Sequence, residues 1–197
     1  MSGQIRLVGL TGTIAAGKST AAEILAEAGF RVVDADEIAR GLLIEPPVRE
    51  RVIALLGAEC YDDQGMPDRK RIAGIIFADA AKRAQLEALI HPLVREKVKE
   101  LAAQYSPLIY DVPLLFESGA HKDTDLTVMI DAPLELRMER AGRRNGWSRD
   151  EFLAREKSQM PPEQKRSMAD MVIDNDADPE SFRIRLHKLI EILEASR

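Results

Sequence analysis

The stretch GLTGTIAAGKST, residues 9–20, decides how this chain is read. Gly12, Gly17, Lys18 and Ser19 satisfy the spacing G-x-x-x-x-G-K-S of a phosphate-binding loop. That spacing carries weight only between a strand and a helix, and both flanks fit. QIRLVGL (4–10) is a short apolar run that predicts a buried strand. From Lys18 to about Ala28, the residues Ala21, Ile24, Leu25 and Ala28 recur at helical spacing, and Gly29 marks a stop. Backbone N–H groups of such a loop point inward as a nest, and the following helix N-terminus adds partial positive charge. The expected nucleotide-binding stretch is therefore Gly12, Thr13, Ile14, Ala15, Ala16, Gly17, Lys18, Ser19 and Thr20. Lys18 can reach the β- and γ-phosphates, and the Ser19 hydroxyl can hold Mg²⁺. Thr13, Ala15 and Ala16 stand where such loops often carry further glycines. If Ala15 has to adopt a positive φ, the cost is on the order of 1–2 kcal/mol.

Outward from the loop, FRVVDAD (30–36) predicts a second strand, so strand, helix and strand form a βαβ unit and imply a parallel sheet. A helical insertion follows. EPPVRERVIALLG (45–57) turns helical after its prolines, YDDQGMPDRK (61–70) is turn-like, and 71–105 is helix-rich with a break expected at His91-Pro92. LIYDV within 106–116, LTVMIDAP (126–133) and ADMVIDND (169–176) predict three more strands. Residues 134–160 are charged and helical, interrupted at Asn145-Gly146, and 181–195 closes the chain with an amphipathic helix. The expected architecture is α/β: a three-layer, doubly wound, five-stranded parallel sheet of the P-loop kinase type. Its core would be about 1–44, 106–133 and 168–197, with the insertion at about 45–105 and a helical lid at about 134–167.

Bulk properties narrow the partners. The chain has 197 residues and a net charge of −5, from 28 basic and 33 acidic side chains. That balance argues against general nucleic-acid binding, which needs a basic surface. Cys60 is the sole cysteine, so a disulfide within the chain is excluded. No apolar run reaches the length of a membrane span, and IRLVGL is too short for a signal peptide. The expectation is a cytoplasmic protein without membrane partners. The oligomeric state stays open.

A phosphate loop says nucleotide, not reaction. The guanine-reading N-K-x-D pattern is absent, and so is an apolar strand ending in Asp-Glu. A small kinase remains. DADEIAR (34–40) puts Asp34 and Asp36 at the carboxyl end of the second strand, where open α/β sheets bind ligands. A carboxylate there can take the proton of an acceptor hydroxyl during phosphoryl transfer; alternatively, either residue caps the next helix. Arg137, Arg140 and Arg144 follow i, i+3, i+7 spacing and can close over a triphosphate; alternatively, this arginine face is solvated and paired with Glu135 and Glu139. Arg140 and Arg144 are the stronger candidates.

With these segments in view, the sequence resembles the dephospho-coenzyme A kinase family over nearly its whole length. The carriers are GLTGTIAAGKST, VVDADEIAR, IHPLV (90–94), DVPLLFE (111–117), QMP (159–161) and VIDND (172–176). The resemblance implies transfer of the ATP γ-phosphate to the ribose 3′-hydroxyl of dephospho-CoA, with Mg²⁺, giving CoA and ADP. Asp36 matches the position proposed as the base. Lys18 and Arg140 complete the expected catalytic set, and Arg144 joins the nucleotide site. The insertion matches the CoA-binding subdomain, and His91, Asp111 and Glu117 are candidate acceptor contacts beside Asp36. Ser19 and Asp111 are the candidate metal ligands. Three features depart from the family pattern: GTIAAGKS stands for the usual GGIGSGKS, Asn145 replaces an acidic residue, and the lid is unusually rich in arginine. The rivals are a shikimate- or gluconate-type kinase, whose small acceptor needs no such insertion, and an ATP-binding relative without activity.

Overall fold

A computed structural model describes residues 4–197. Its centre is β1 (Leu7–Gly12), whose residues LVGLTG are buried throughout. A strand buried on both faces reads as a continuous apolar run, which is why periodicity is absent there. With β2 (Arg31–Asp34), β3 (Leu108–Asp111), β4 (Leu126–Asp131) and β5 (Met171–Asp174) it forms a five-stranded sheet ordered β2-β3-β1-β4-β5. β1 runs parallel to β3 and to β4, and β4 runs parallel to β5. Gly12 lets β1 and β4 approach: a side chain there would put its Cβ 2.6 Å from the Ile130 carbonyl oxygen.

Helices α1 (Lys18–Glu27) and α9 (Pro179–Glu194) bury their apolar faces together with the sheet. Ala21, Ile24 and Leu25 of α1 join Phe182, Leu186 and Leu189 of α9 in one cluster with Val8, Leu10, Val128 and Ile130. α9 begins where Asp178 accepts hydrogen bonds from the Glu180 and Ser181 N–H groups, both at 3.0 Å. This satisfies donors that the first helical turn leaves without partners.

The chain divides into two compact units. One holds the described residues up to Val33 together with Leu101–Arg197; the other is Asp34–Glu100. The second unit is helical: α2 (Ala35–Leu42), α3 (Pro46–Leu56), a short 3₁₀ turn (Ala58–Cys60), α4 (Arg69–Ala78) and most of α5 (Ala80–Gln104). Val48, Val52 and Leu56 recur at i, i+4, i+8 along α3 and are buried. Asp68 caps α4, and Asp79 caps α5 through the Ala81 and Lys82 N–H groups.

The expected helix break at His91-Pro92 is wrong, because α5 runs unbroken through Pro92. An interior proline removes one backbone hydrogen bond and costs about 3 kcal/mol. Against that stands a stripe of buried residues, Leu86, Leu89, Ile90, Val94 and Val98, lying on both sides of the proline. Burying a stripe that spans two turns each way outweighs the local defect. The second strand also ends earlier than its sequence predicts. Asp34 closes β2, and its carboxylate accepts from the Asp36 and Glu37 N–H groups at 2.7 and 3.0 Å. The backbone therefore turns helical at Ala35.

After β4 come three helices: α6 (Leu134–Asn145), α7 (Arg149–Lys157) and α8 (Pro162–Met168). Gly146, at φ 69°, ends α6 in the left-handed region, as the Asn-Gly pair predicts. Ser148 and Glu151 then form a reciprocal capping box that starts α7. The Arg155 guanidinium stacks on Trp147, 4.3 Å from the ring centre, and fastens α7 to the connection before it.

Candidate active site

The loop after β1 is a built turn. The Thr13 N–H donates to the Ile130 carbonyl at 3.2 Å, and the Ala16 N–H closes back on the Thr13 carbonyl at 3.1 Å. Ala15 occupies the third position of that turn with φ 60°, the single non-glycine residue at positive φ among the described residues. A third-position residue at positive φ is the mark of a type II turn, which normally calls for glycine there. The strain expected of Ala15 is therefore real. Gly17 follows at φ 104° as the N-cap of α1, with no side chain capping the helix. Its uncapped N-terminal N–H groups are free to receive an anion. A Cβ at Gly17 would run into the Asn175 amide, so glycine is required on two counts.

Asn175, just past β5, is the residue that sequence reading missed. Its side-chain N–H donates to the Ala16 carbonyl at 2.8 Å, and its backbone N–H donates to the Asp131 carbonyl at 2.7 Å. Arg140 joins it, donating to the Ala16 carbonyl at 3.3 Å and to the Asn175 carbonyl and side-chain oxygen at 3.2 and 3.3 Å. The motif VIDND held the signal, since Asn175 is the one residue there with both a donor and an acceptor in its side chain. Burial pulls the Arg140 pKa down from its ordinary value, the cost of placing a guanidinium in a partly desolvated cleft. The cleft has a volume of about 300 Å³, and Ala15, Gly17, Ser19, Thr20, Arg140, Arg144, Asn175 and Phe182 line it. Two arginines, the uncapped helix end and one aromatic edge make it a site for a polyanion bearing an apolar group.

Lys18 forms an ion pair with Asp111, the buried last residue of β3. Parallel register explains the meeting: Asp111 lies beside Leu10, just before the loop begins. The predicted arginine face divides. Arg140 and Arg144 line the cleft, while Arg137, 3% exposed, belongs to packing. It donates to the Ala132 carbonyl, pairs with Glu156 and lies over the Phe152 ring. Arg143, outside that face, pairs with Glu139 on the solvent side.

Glu117 sits in a different kind of place. It accepts the Met160 N–H at 2.9 Å and pairs with Lys165 at 2.9 Å, whose side chain is 1% exposed. Burial alone would raise its pKa, but the hydrogen bonds from Lys165 and Met160 outweigh it and hold the carboxyl below the usual range. Glu117 thus anchors the segment between α7 and α8. Asp34 spends its carboxylate as the cap of α2. Asp36 is exposed in the first turn of that helix, and its backbone carbonyl accepts from Arg40. His91 is exposed on α5. The described residues contain no cluster of three metal-ligating side chains of the His, Cys, Asp or Glu type. No helix among them is long and apolar enough to cross a membrane.

Comparison with known proteins adds independent findings. A family model described as dephospho-CoA kinase matches residues 6–180. The dephospho-CoA kinase of Carboxydothermus hydrogenoformans is 39% identical over 191 residues, covering 94% of this chain and 93% of the relative. The solved dephospho-CoA kinase of Campylobacter jejuni is 31% identical with a TM-score of 0.75, covering 98% of this chain and 99% of its own. Shikimate kinase from Bacteroides thetaiotaomicron, at 15% identity, 95% and 98% coverage and a TM-score of 0.54, shares the fold alone.

Proposed function

The chain belongs to the dephospho-CoA kinase family, and on that premise we propose that it transfers the γ-phosphate of ATP to the ribose 3′-hydroxyl of dephospho-CoA, releasing CoA and ADP. The observation that carries this reading is the cleft at the start of α1: an uncapped helix N-terminus, whose first residue is Lys18, and two arginines meet around one space of about 300 Å³.

In this reading the triphosphate lies along Gly12–Thr20, received by the loop N–H groups and the end of α1. Lys18 exchanges its Asp111 partner for the β- and γ-phosphates. Arg140 turns from the Ala16 carbonyl toward the transferring group, and its present bonds of 3.2–3.3 Å are long enough to release it at small cost. Arg144 adds charge from one turn further along α6. Asp36 accepts the proton of the 3′-hydroxyl as that oxygen bonds to the γ-phosphorus and the bond to the β–γ bridging oxygen breaks. Asp111, His91 and Glu117 were the other acceptor candidates. Asp111 stays in that role; Glu117 serves it by holding the Met160 segment in place.

Ser19 and Asp111 offer a hydroxyl and a carboxylate. Such hard oxygen donors suit Mg²⁺, which takes few protein ligands and fills its shell with water and phosphate oxygens. When bound, it would neutralise charge on the β- and γ-phosphates. The unit Asp34–Glu100 is the acceptor-binding part in this reading, and the helices of 134–167 form the lid. The sole cysteine, buried and with its thiol pKa raised first by burial, suits a reducing, cytoplasmic setting.

Coupled ADP release with Mg²⁺-ATP, with and without dephospho-CoA, tests the reading on the wild type and on Asp36→Asn. Release should depend on the acceptor and fall by about two to four orders of magnitude in the variant, the range of general-base contributions. ATP binding without acceptor-dependent release would refute it.

A further inference from the structure

Thr13 makes a bond that a glycine could not. Its hydroxyl donates to Asp131 Oδ1 at 2.8 Å, with both residues buried. Asp131 ends β4 and is fully engaged: Oδ1 also takes the Ala132 N–H at 2.9 Å, and Oδ2 takes Arg166 Nη1 at 2.7 Å. Arg166, on α8, donates from the same nitrogen to Asp174 at 2.8 Å, tying the ends of β4 and β5 together. A buried carboxylate is tolerated only when paired and hydrogen-bonded. Arg166 and the Ala132 N–H therefore fix the orientation in which Oδ1 meets Thr13.

Thr13 is also the first residue of the turn whose third residue is Ala15, at φ 60°. A strained backbone conformation persists only where its surroundings over-determine it. Two anchors do so here. The Ala16 carbonyl is held by Asn175 and Arg140; the Thr13 side chain is held by Asp131. If Arg140 leaves for the phosphates, the downstream anchor loses one of its two donors at the moment the nucleotide needs the loop in shape. The upstream anchor is untouched by that movement.

We infer that Thr13 is a positioning residue for nucleotide binding: through Asp131, braced by Arg166, it holds the strained turn open to phosphate while Arg140 is engaged elsewhere. The inference rests on the kinase reading for what the nucleotide does, but not for the binding itself. Four proteins test it: wild type, Thr13→Val, Thr13→Ser and Thr13→Val with Ala15→Gly. Thr13→Val keeps the branched shape and loses the hydroxyl. It should raise KM for ATP by roughly tenfold, the worth of a hydrogen bond to a charged group, and leave KM for dephospho-CoA unchanged. Thr13→Ser should restore the wild-type value, and Ala15→Gly in the valine background should recover most of the loss by relieving the turn. An unchanged KM for ATP, a serine variant as poor as valine, or no recovery from Ala15→Gly would each overturn the inference. Should Thr13→Val not fold, Arg166→Met loosens the far end of the same contact and should raise KM for ATP severalfold; an unchanged value overturns the inference equally. Calorimetric titration with ATP reads the same shift without turnover. If calorimetry shows the affinity differences among the four proteins but the wild type gives no acceptor-dependent ADP release, the kinase reading falls and the anchor stands.

Discussion

Ala15→Gly should make this protein more stable, against the usual direction of such a change. In a helix or strand, replacing alanine by glycine costs about 0.5–1 kcal/mol, because glycine gives the unfolded chain more freedom to lose. Ala15 sits instead at φ 60°, where a side chain costs on the order of 1–2 kcal/mol. The glycine variant sheds that strain and takes on the entropic cost, for a net gain of about 0.5–1 kcal/mol. In a chain of this size each kcal/mol moves Tm by about 2–4 °C, so the expected rise is about 1–4 °C.

The assay is thermal unfolding by circular dichroism, with steady-state kinetics on the same samples. Activity should change little, because the loop already holds its shape through the Thr13–Asp131 bond and the donation from Asn175 to the Ala16 carbonyl, neither of which Arg140 takes with it. Ala15→Val is the companion, since a β-branched side chain is worse suited to the left-handed region. It should lower Tm. A glycine variant that melts below wild type would show that Ala15 carries no strain. A large gain in turnover would show the opposite failure, a loop misshapen by its alanines rather than braced against them.

Glu117→Gln leaves Lys165, 1% exposed, without its counter-charge. Breaking such a pair costs about 3–5 kcal/mol, and the partial exposure of Glu117 puts the expectation at the lower end, with Tm falling by about 6–12 °C. Because the folded Glu117 pKa lies below its ordinary 4.5, its contribution is present above that value and is lost as pH falls through the folded one. The gap in Tm between wild type and Glu117→Gln should therefore be widest near neutrality and close as the pH falls below 4.5 and through the lowered folded value; a gap constant with pH would sink the argument. Asp34→Ala removes the cap of α2 and should cost about 1 kcal/mol, whereas Asp34→Asn, which caps as well, should cost little. An asparagine variant as damaged as alanine, in stability or in turnover, would give the Asp34 charge a role beyond capping.

What the sequence made legible was whatever depends on neighbours along the chain. The phosphate loop, the strand on one side and the helix on the other are local patterns, and so is the stop at Asn145-Gly146. Ala15 belongs with them, because loop spacing alone placed it where a positive φ was needed. What stayed hidden depends on partners far away in sequence. Pro92 reads as a break until a buried stripe on both sides holds α5 straight. Arg137 reads as a phosphate contact because its spacing from Arg140 is helical, yet Glu156 and Phe152 claim it. Asn175 stands in the motif VIDND, but nothing along the chain names its partner, the Ala16 carbonyl. It matters because parallel strand order brings the end of β5 beside the end of β4, and β4 beside β1. The same order explains why the loop tolerates its alanines. A sheet that ends β1, β4 and β5 side by side puts Asp131 and Asn175 within reach of Thr13 and Ala16. Hydrogen bonds from the neighbouring strand ends then do for this loop what glycine's freedom does elsewhere. The price is a turn with less room to relax, so the loop's shape answers to residues as far off in sequence as Arg166.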